Sequence, residues 1–148
     1  MNNVQAWHKL LEEGSIDRIE TILDKKAVFY SPVVFQPQSG RKLTALYLAN
    51  AYKMFFAEGN DSFQYVREIH SDTDSILEFT CEVEGIQING VDILKWTAEG
   101  KIQEFKVMIR PHKAIEKVKE KMGELFTSMT TMDKLKMKAS VMADKLKK

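Results

Sequence analysis

The sequence predicts an α+β domain in which N-terminal helices cover a curved antiparallel sheet. Two observations predict it. Apolar residues recur at helical spacing as far as Phe55, and from Phe63 to Ile109 the period changes to two. Glycine- and proline-bearing segments punctuate the change without a linker or internal repeat, so one domain is expected from 148 residues. Hydrophobic residues at 44% and charged residues at 29% are ordinary for a globular chain. A domain of this size buries roughly 68–70% of its unfolded surface.

The helices come first. Val4, Trp7, Leu10 and Leu11 form one face of a helix closed by Gly14. Ser15 is placed to cap a second, short helix over residues 16–23, with Ile16, Ile19, Ile22 and Leu23 inward. Lys25 and Lys26 interrupt the pattern. Ala27 to Ser31 reads as a strand stopped by Pro32, and residues 33–40 as a loop. Leu43, Leu46, Tyr47, Ala51, Met54 and Phe55 define a third helix over residues 41–57, ended by Gly59-Asn60-Asp61.

The strands follow. Phe63, Tyr65, Arg67 and Ile69 alternate with Gln64, Val66, Glu68 and His70, so the Tyr65 phenol, sharing a face with Arg67, can point either way. Residues 71–74 make a turn, and Leu77, Phe79, Cys81 and Val83 mark a half-buried strand. After Asn89-Gly90 comes the stretch that organises the chain: two strands joined at Ala98-Glu99-Gly100, where Gly100 supplies the positive φ. Asp92, Leu94 and Trp96 share a face, as do Phe105, Val107 and Ile109, so pairing the apolar sets puts Asp92 in the core. A carboxylate in apolar company must be hydrogen-bonded, neutralised or used. Beyond Pro111 a helical extension carries two apolar stripes. One holds Ile115, Val118, Met122, Leu125 and Phe126. The other holds Met132, Leu135, Ala139, Met142 and Leu146, with Thr131 as its N-cap.

With that element order established, the stretches Gly14 to Val33, Ser39 to Tyr52 and Asn89 to Phe105 resemble the nuclear transport factor 2-like superfamily, in its SnoaL-like and ketosteroid isomerase-like branch. The resemblance implies a cone-shaped (cystatin-like) fold over residues 1–111, with residues 112–148 as a basic amphipathic extension. It also implies where a site would lie. The general base that ketosteroid isomerases place before a proline falls here on Ser31. Their oxyanion-hole tyrosine falls on Trp7, with two supporting tyrosines on Leu23 and Leu48, while the oxyanion-hole aspartate is kept as Asp92. Proton abstraction needs a base of suitable pKa, which a serine hydroxyl alone is not, so the familiar isomerase route is not expected. SnoaL-type cyclases rely on a pocket aspartate, a role Asp92 fits.

The expected ligand site therefore comprises Trp7, Ser31, Leu48, Phe79, Asp92, Leu94, Trp96, Phe105 and Val107, with Asp92 as the catalytic candidate. Asp92 reads equally as a structural carboxylate. The Trp7 N–H is free to bond Asp92 or a ligand, and Cys81 reads as a small buried hydrophobe.

The expected function is binding of a small apolar or polycyclic molecule, with cofactor-free cyclase- or isomerase-type acid–base chemistry if there is turnover. The alternative is a non-catalytic homodimeric module acting through the outer sheet face and the C-terminal helices. A cone filled by side chains such as Trp7, Phe35 and Trp96 would favour that alternative.

The exclusions are plain. Three isolated histidines offer no metal-ligand spacing. There is no glycine-rich phosphate loop, no nucleophile elbow and no basic-aromatic pattern for nucleic acid. No apolar run approaches a membrane span, no secretory signal opens the chain, and a single cysteine forms no internal disulfide, so a cytoplasmic protein with little membrane affinity is expected. Charge is uneven. Residues 113–148 hold ten lysines against five acidic residues, whereas residues 1–112 hold twelve basic against sixteen acidic.

Overall fold

The computed structural model describes residues 3–129 and, beyond them, residues 134, 135, 138, 139, 142, 143 and 146. Helix α1 (Val4–Glu13) buries Val4, Trp7 and Leu10, the i, i+3, i+6 set, and ends on Gly14 in the left-handed conformation (φ 67°). The second helical segment is a 3₁₀ helix, Ile16–Ile22, and the Ser15 side chain makes no cap hydrogen bond. Without that oxygen, tighter i→i+3 turns satisfy the terminal backbone groups. Leu23 leaves the helix and opens strand β1 (Leu23–Tyr30), pairing with Ile102.

Lys25 and Lys26 therefore lie inside a strand rather than before one. The ladder is irregular between Leu23 and Val28, and there the Lys26 N–H donates to Asp24 Oδ2 at 2.9 Å. The lysines stay exposed on this bulge while Ala27 and Phe29 turn inward. A two-residue strand β2 (Gln38–Ser39) pairs with β1 in what reads as loop sequence. Helix α2 (Arg41–Phe55) packs on β1, and its fully buried Thr44 donates its hydroxyl to the Ala27 carbonyl at 3.1 Å.

Strands β3 (Gln64–His70), β4 (Asp74–Val83), β5 (Ile86–Trp96) and β6 (Ile102–Arg110) complete a curved six-stranded sheet in the order β2-β1-β6-β5-β4-β3. It is antiparallel throughout except for β1 beside β6, which are parallel. The β4–β5 hairpin turns earlier than Asn89-Gly90. Glu84 (φ 48°) and Gly85 (φ 83°) form the two-residue loop, and the register runs unbroken from Val83↔Ile86 to Asp74↔Lys95. Asn89 and Gly90 lie within β5. The β5–β6 turn sits at residues 97–101 with Gly100 at φ 80°, as its sequence requires.

Helix α3 (His112–Thr127) buries Ala114 and Val118. Lys117 and Lys121 both reach Glu84, tying α3 to the β4–β5 turn. Such exposed pairs contribute little each. The apolar interior of α3 holds it. Of the second C-terminal stripe, Leu135, Ala139, Met142 and Leu146 are helical and exposed, while Thr131 and Met132 lie outside the described residues. Among the described residues no helix is long and apolar enough to cross a membrane.

Gly90 explains how the sheet accommodates a fully buried aromatic ring in its interior. It faces Phe79 across the β4–β5 ladder, and a Cβ there would collide with the Phe79 ring (Cε1 at 2.8 Å) and the Met108 carbonyl (2.9 Å). The ring is fully buried and the carbonyl is backbone, so neither yields cheaply. Gly90→Ala is expected to lower stability by about 1–3 kcal/mol, the cost of overpacking. Urea unfolding checks this, with the midpoint falling at unchanged slope; an unaltered midpoint would show that Phe79 has another place to go.

Candidate functional site

Two adjoining cavities lie between the interior face of the sheet and the helices. The inner one, about 40 Å³, is lined by aromatic and aliphatic side chains, among them Trp7, Leu48, Phe55, Phe63, Phe79, Phe105 and Val107, together with Tyr65 and Asp92. It has room for roughly two or three water-sized groups. The outer one, about 240 Å³, lies between α2, α3 and the segment after β1, and includes Ser31, Tyr47, Lys119 and Phe126. Phe29, Ala51, Phe55 and Val107 line both, forming the wall between them.

Each polar group of the inner cavity is placed by a local backbone feature. Asp92 lies on β5 opposite Leu77 and Val107, so the strand's alternation turns it inward, and only 5% of it is exposed. Tyr65 pairs with Phe79 on β4, and a bulge between Tyr65 and Arg67 reverses the alternation. Tyr65 therefore faces the cone, while Arg67 points out to pair with Glu78 at 3.2 Å and Ile69 is exposed. A single strand face shared by Tyr65 and Arg67 is not what forms. Trp7 approaches from α1, its ring edge-on to Phe105 at 5.1 Å.

The three groups form a directed chain of hydrogen bonds. Trp7 Nε1–H donates to the Tyr65 hydroxyl at 3.0 Å, and the Tyr65 O–H donates to Asp92 Oδ2 at 2.6 Å. Burial raises the Asp92 carboxyl from its ordinary 3.8 to about 7, against which the Tyr65 hydrogen bond pulls downward. Burial also holds the Tyr65 phenol well above its usual range, reinforced by the adjacent carboxyl. Cys81 is pushed up to about 12, first by burial and then by Asp92, so its thiol is an inert buried group.

The sequence-derived positions divide among these spaces. Trp7, Leu48, Phe79, Phe105 and Val107 join Asp92 around the inner cavity. Ser31 lies in the outer one, and its Oγ accepts the N–H groups of Val33 (3.0 Å) and Val34 (3.2 Å). It shapes the turn after β1 and is not beside Asp92 in the inner cavity. Leu23, Leu94 and Trp96 are core residues lining neither space; the Trp96 indole donates to Ser75 Oγ at 2.9 Å. Phe35 does not fill the cone at all, since it is fully exposed.

The histidines stand apart. Glu68 Oε1 lies 3.0 Å from both His8 Nε2 and His70 Nε2, and His70 Nδ1 lies 2.8 Å from Ser75 Oγ. His8 sits edge-on to Tyr65 at 5.5 Å without reaching Asp92. No group of acidic, histidine or cysteine side chains suited to a metal occurs among the described residues.

Sequence reasoning left Tyr65 undecided and did not place Phe29, Phe55 or Phe63 at the site. A β-bulge carries no composition signal in Gln64-Tyr65-Val66-Arg67, whereas the run of phenylalanines around α2 and β3 was a visible sign of an aromatic lining.

No protein-family model and no curated protein matches the sequence. Solved structures do. A steroid delta-isomerase from Pseudomonas aeruginosa shares 28% identity at a TM-score of 0.78, over 84% of this chain and 89% of its own. An uncharacterised protein with a cystatin-like fold from Silicibacter pomeroyi shares 26% at 0.76, over 88% of each chain. SalBIII, an epoxide hydrolase/cyclase-like enzyme of pyran ring formation in the polyether salinomycin, is similar in fold alone. It shares 18% identity at 0.57, over 72% of this chain and 87% of its own. The fold is similar to that of the steroid delta-isomerase, of the cystatin-like protein and of nuclear transport factor 2-like proteins.

A carboxyl whose folded pKa of about 7 exceeds its unfolded value binds more protons in the folded state between those limits. Its contribution is therefore fully present below about pH 4 and is lost as pH rises through 7. The span from 3.8 to about 7 corresponds to about 4 kcal/mol. Asp92→Asn should abolish this component. Urea unfolding at pH 5 and pH 8 is expected to show wild type losing markedly more stability over that interval than the variant. Equal losses would mean Asp92 titrates as an ordinary carboxylate.

Proposed function

We propose that the protein binds a small, largely apolar molecule within the cone, with a polar handle of that molecule directed at Asp92. The observation that carries this reading is the Trp7–Tyr65–Asp92 chain, ending in a buried carboxyl on the wall of an apolar cavity. A purely structural carboxyl here costs stability once it ionises, because only the Tyr65 hydrogen bond favours its charged form. The inner cavity admits a functional group and not a ring system, so the body of the ligand occupies the outer cavity. Its handle then passes the wall formed by Phe29, Ala51, Phe55 and Val107.

Any turnover is cofactor-free acid–base chemistry at Asp92, of isomerase or cyclase type. A carboxyl titrating near 7 is suited to either direction of proton transfer at neutral pH. In its protonated form it donates to a carbonyl or phenolic oxygen, while Tyr65 and Trp7 donate successively into it, each bond polarising the next. The likeness to a steroid delta-isomerase supports this class of chemistry. The familiar isomerase route still lacks its base, because Ser31 is turned to backbone amides.

The test uses 2-naphthol as a planar probe with one hydroxyl. Thermal shift and fluorescence titration at pH 6.5 are expected to give saturable binding to wild type, weakened about tenfold in Asp92→Asn with the far-UV spectrum unchanged. Equal affinities for wild type and variant would remove Asp92 from the site.

A second reading rests on the outer sheet face, where Ile69 (59%), Ile76 (40%) and Met108 (53%) are exposed around a groove of about 370 Å³ that also includes Val91. Exposed apolar side chains grouped in this way, with Arg67, Glu78 and Arg110 among them, suit a contact site, and they favour a homodimer formed through the sheet. Replacing Ile76 and Met108 together by Lys is expected to convert a dimer to a monomer in sedimentation velocity. A wild-type monomer at tens of micromolar would dismiss this reading.

A further inference from the structure

The outer cavity differs from the inner one in its polar groups, and the difference bears on the charge of what it holds. Its lining is apolar apart from three side chains, Ser31, Tyr47 and Lys119. All three present a donor. Ser31 Oγ already accepts two backbone N–H groups and keeps its own proton to give. The Tyr47 ring is held between Phe29 (5.2 Å, stacked) and Phe126 (5.1 Å), and its hydroxyl has no hydrogen-bond partner among the described residues. Burial raises the Tyr47 phenol, so it is a neutral donor. No acidic side chain lines the cavity.

Lys119 is set apart from its neighbours on α3. Lys117 is engaged by Glu84 and Glu120, and Lys121 by Glu84 and Glu124. Lys119, between them in sequence, exposed and lining the outer cavity, has no acidic partner among the described residues. An exposed ammonium at the rim of an apolar space keeps its hydration while remaining available to an anion. Gly123, one turn further along α3, lines the same cavity, and a Cβ there meets nothing within 4 Å.

We infer that the outer cavity takes an anionic amphiphile: an apolar body lying against Phe29, Tyr47 and Phe126, with one carboxylate- or sulfonate-type group at Lys119. This rests on the ligand-binding reading above and adds the charge of the ligand and the end of the site that recognises it. The molecule would then have two polar ends, an anionic one at the rim and the handle near Asp92.

The probes are 8-anilinonaphthalene-1-sulfonate and the uncharged N-phenyl-1-naphthylamine, which share one aromatic body and differ in the sulfonate. Wild type is expected to bind the sulfonate more tightly, with a preference that shrinks as salt rises. Lys119→Met should weaken the sulfonate about fivefold, the size of a partly exposed charge pair, and leave the neutral probe within twofold. Lys119→Glu should weaken the sulfonate further. Gly123→Trp should fill the space and abolish both probes, whereas Gly123→Ala, the folding control, keeps both. Asp92→Asn should retain the sulfonate preference. If it does so while losing its effect on 2-naphthol, the handle reading fails and this inference stands. An unchanged preference in Lys119→Met, undiminished binding to Gly123→Trp, or no saturable binding of either probe to wild type would overturn it.

Discussion

The interior of the cone is organised by one hydrogen bond, that from the Tyr65 hydroxyl to Asp92 Oδ2 at 2.6 Å. Around it lie Phe79, Phe105 and Val107, which offer the carboxyl nothing polar. In such surroundings a charge is expensive, and the group responds by holding its proton to near pH 7. The Trp7 N–H completes the arrangement from a different layer of the fold, so α1, β3 and β5 are joined through polar atoms at the centre of an otherwise aromatic core. Losing the register of any one of them leaves a buried donor or acceptor unpaired.

The same core determines how much space remains. Phe79 leans over Gly90 and stacks on Phe63 at 5.0 Å, while Phe55 meets both rings from α2. These rings leave only a small space beside Asp92. The larger space lies beyond Phe29 and Phe55, where α3 closes over α2 and the segment after β1. A nuclear transport factor 2-like cone is in this way divided into a narrow polar-tipped inner part and a wider apolar outer part. The C-terminal helix supplies a wall of the second. That division is why Ser31 and Asp92, which the resemblance puts in one site, stand here in adjoining spaces.

Much of this was legible in the residues. The alternation of Asp92, Leu94 and Trp96 against Phe105 and Val107 identified the inward face of the hairpin and the buried carboxyl, because a strand with one dry face admits a single register. Gly14, Gly100 and the two apolar faces of α1 and α2 set their elements closely. Three features did not read out. The bulge after Tyr65 depends on tertiary twist and not on local composition, so the phenol's direction stayed open. Glu84-Gly85 is a weaker turn signal than Asn89-Gly90, yet the longer hairpin wins because it pairs every inward residue of β4 with β5. Lys25 and Lys26 looked like a break because exposed lysines are common at strand ends, and here they ride on an irregular edge of β1. The resemblance puts Trp7 and Ser31 in one site, and their hydrogen bonds separate their roles. Trp7 is a donor into the chain at Asp92. Ser31 is an acceptor for its own turn.

The most direct measurement is a carbon-13 NMR titration of the aspartate carboxyls in the intact protein, with Asp92→Asn used to assign the signal. The Asp92 carboxyl is expected to titrate near 7, and in Tyr65→Phe, deprived of the hydrogen bond that favours its ionised form, higher still. A midpoint near 4 in wild type, the ordinary range for a solvated aspartate, would contradict a dry, protonated carboxyl at the heart of the cone.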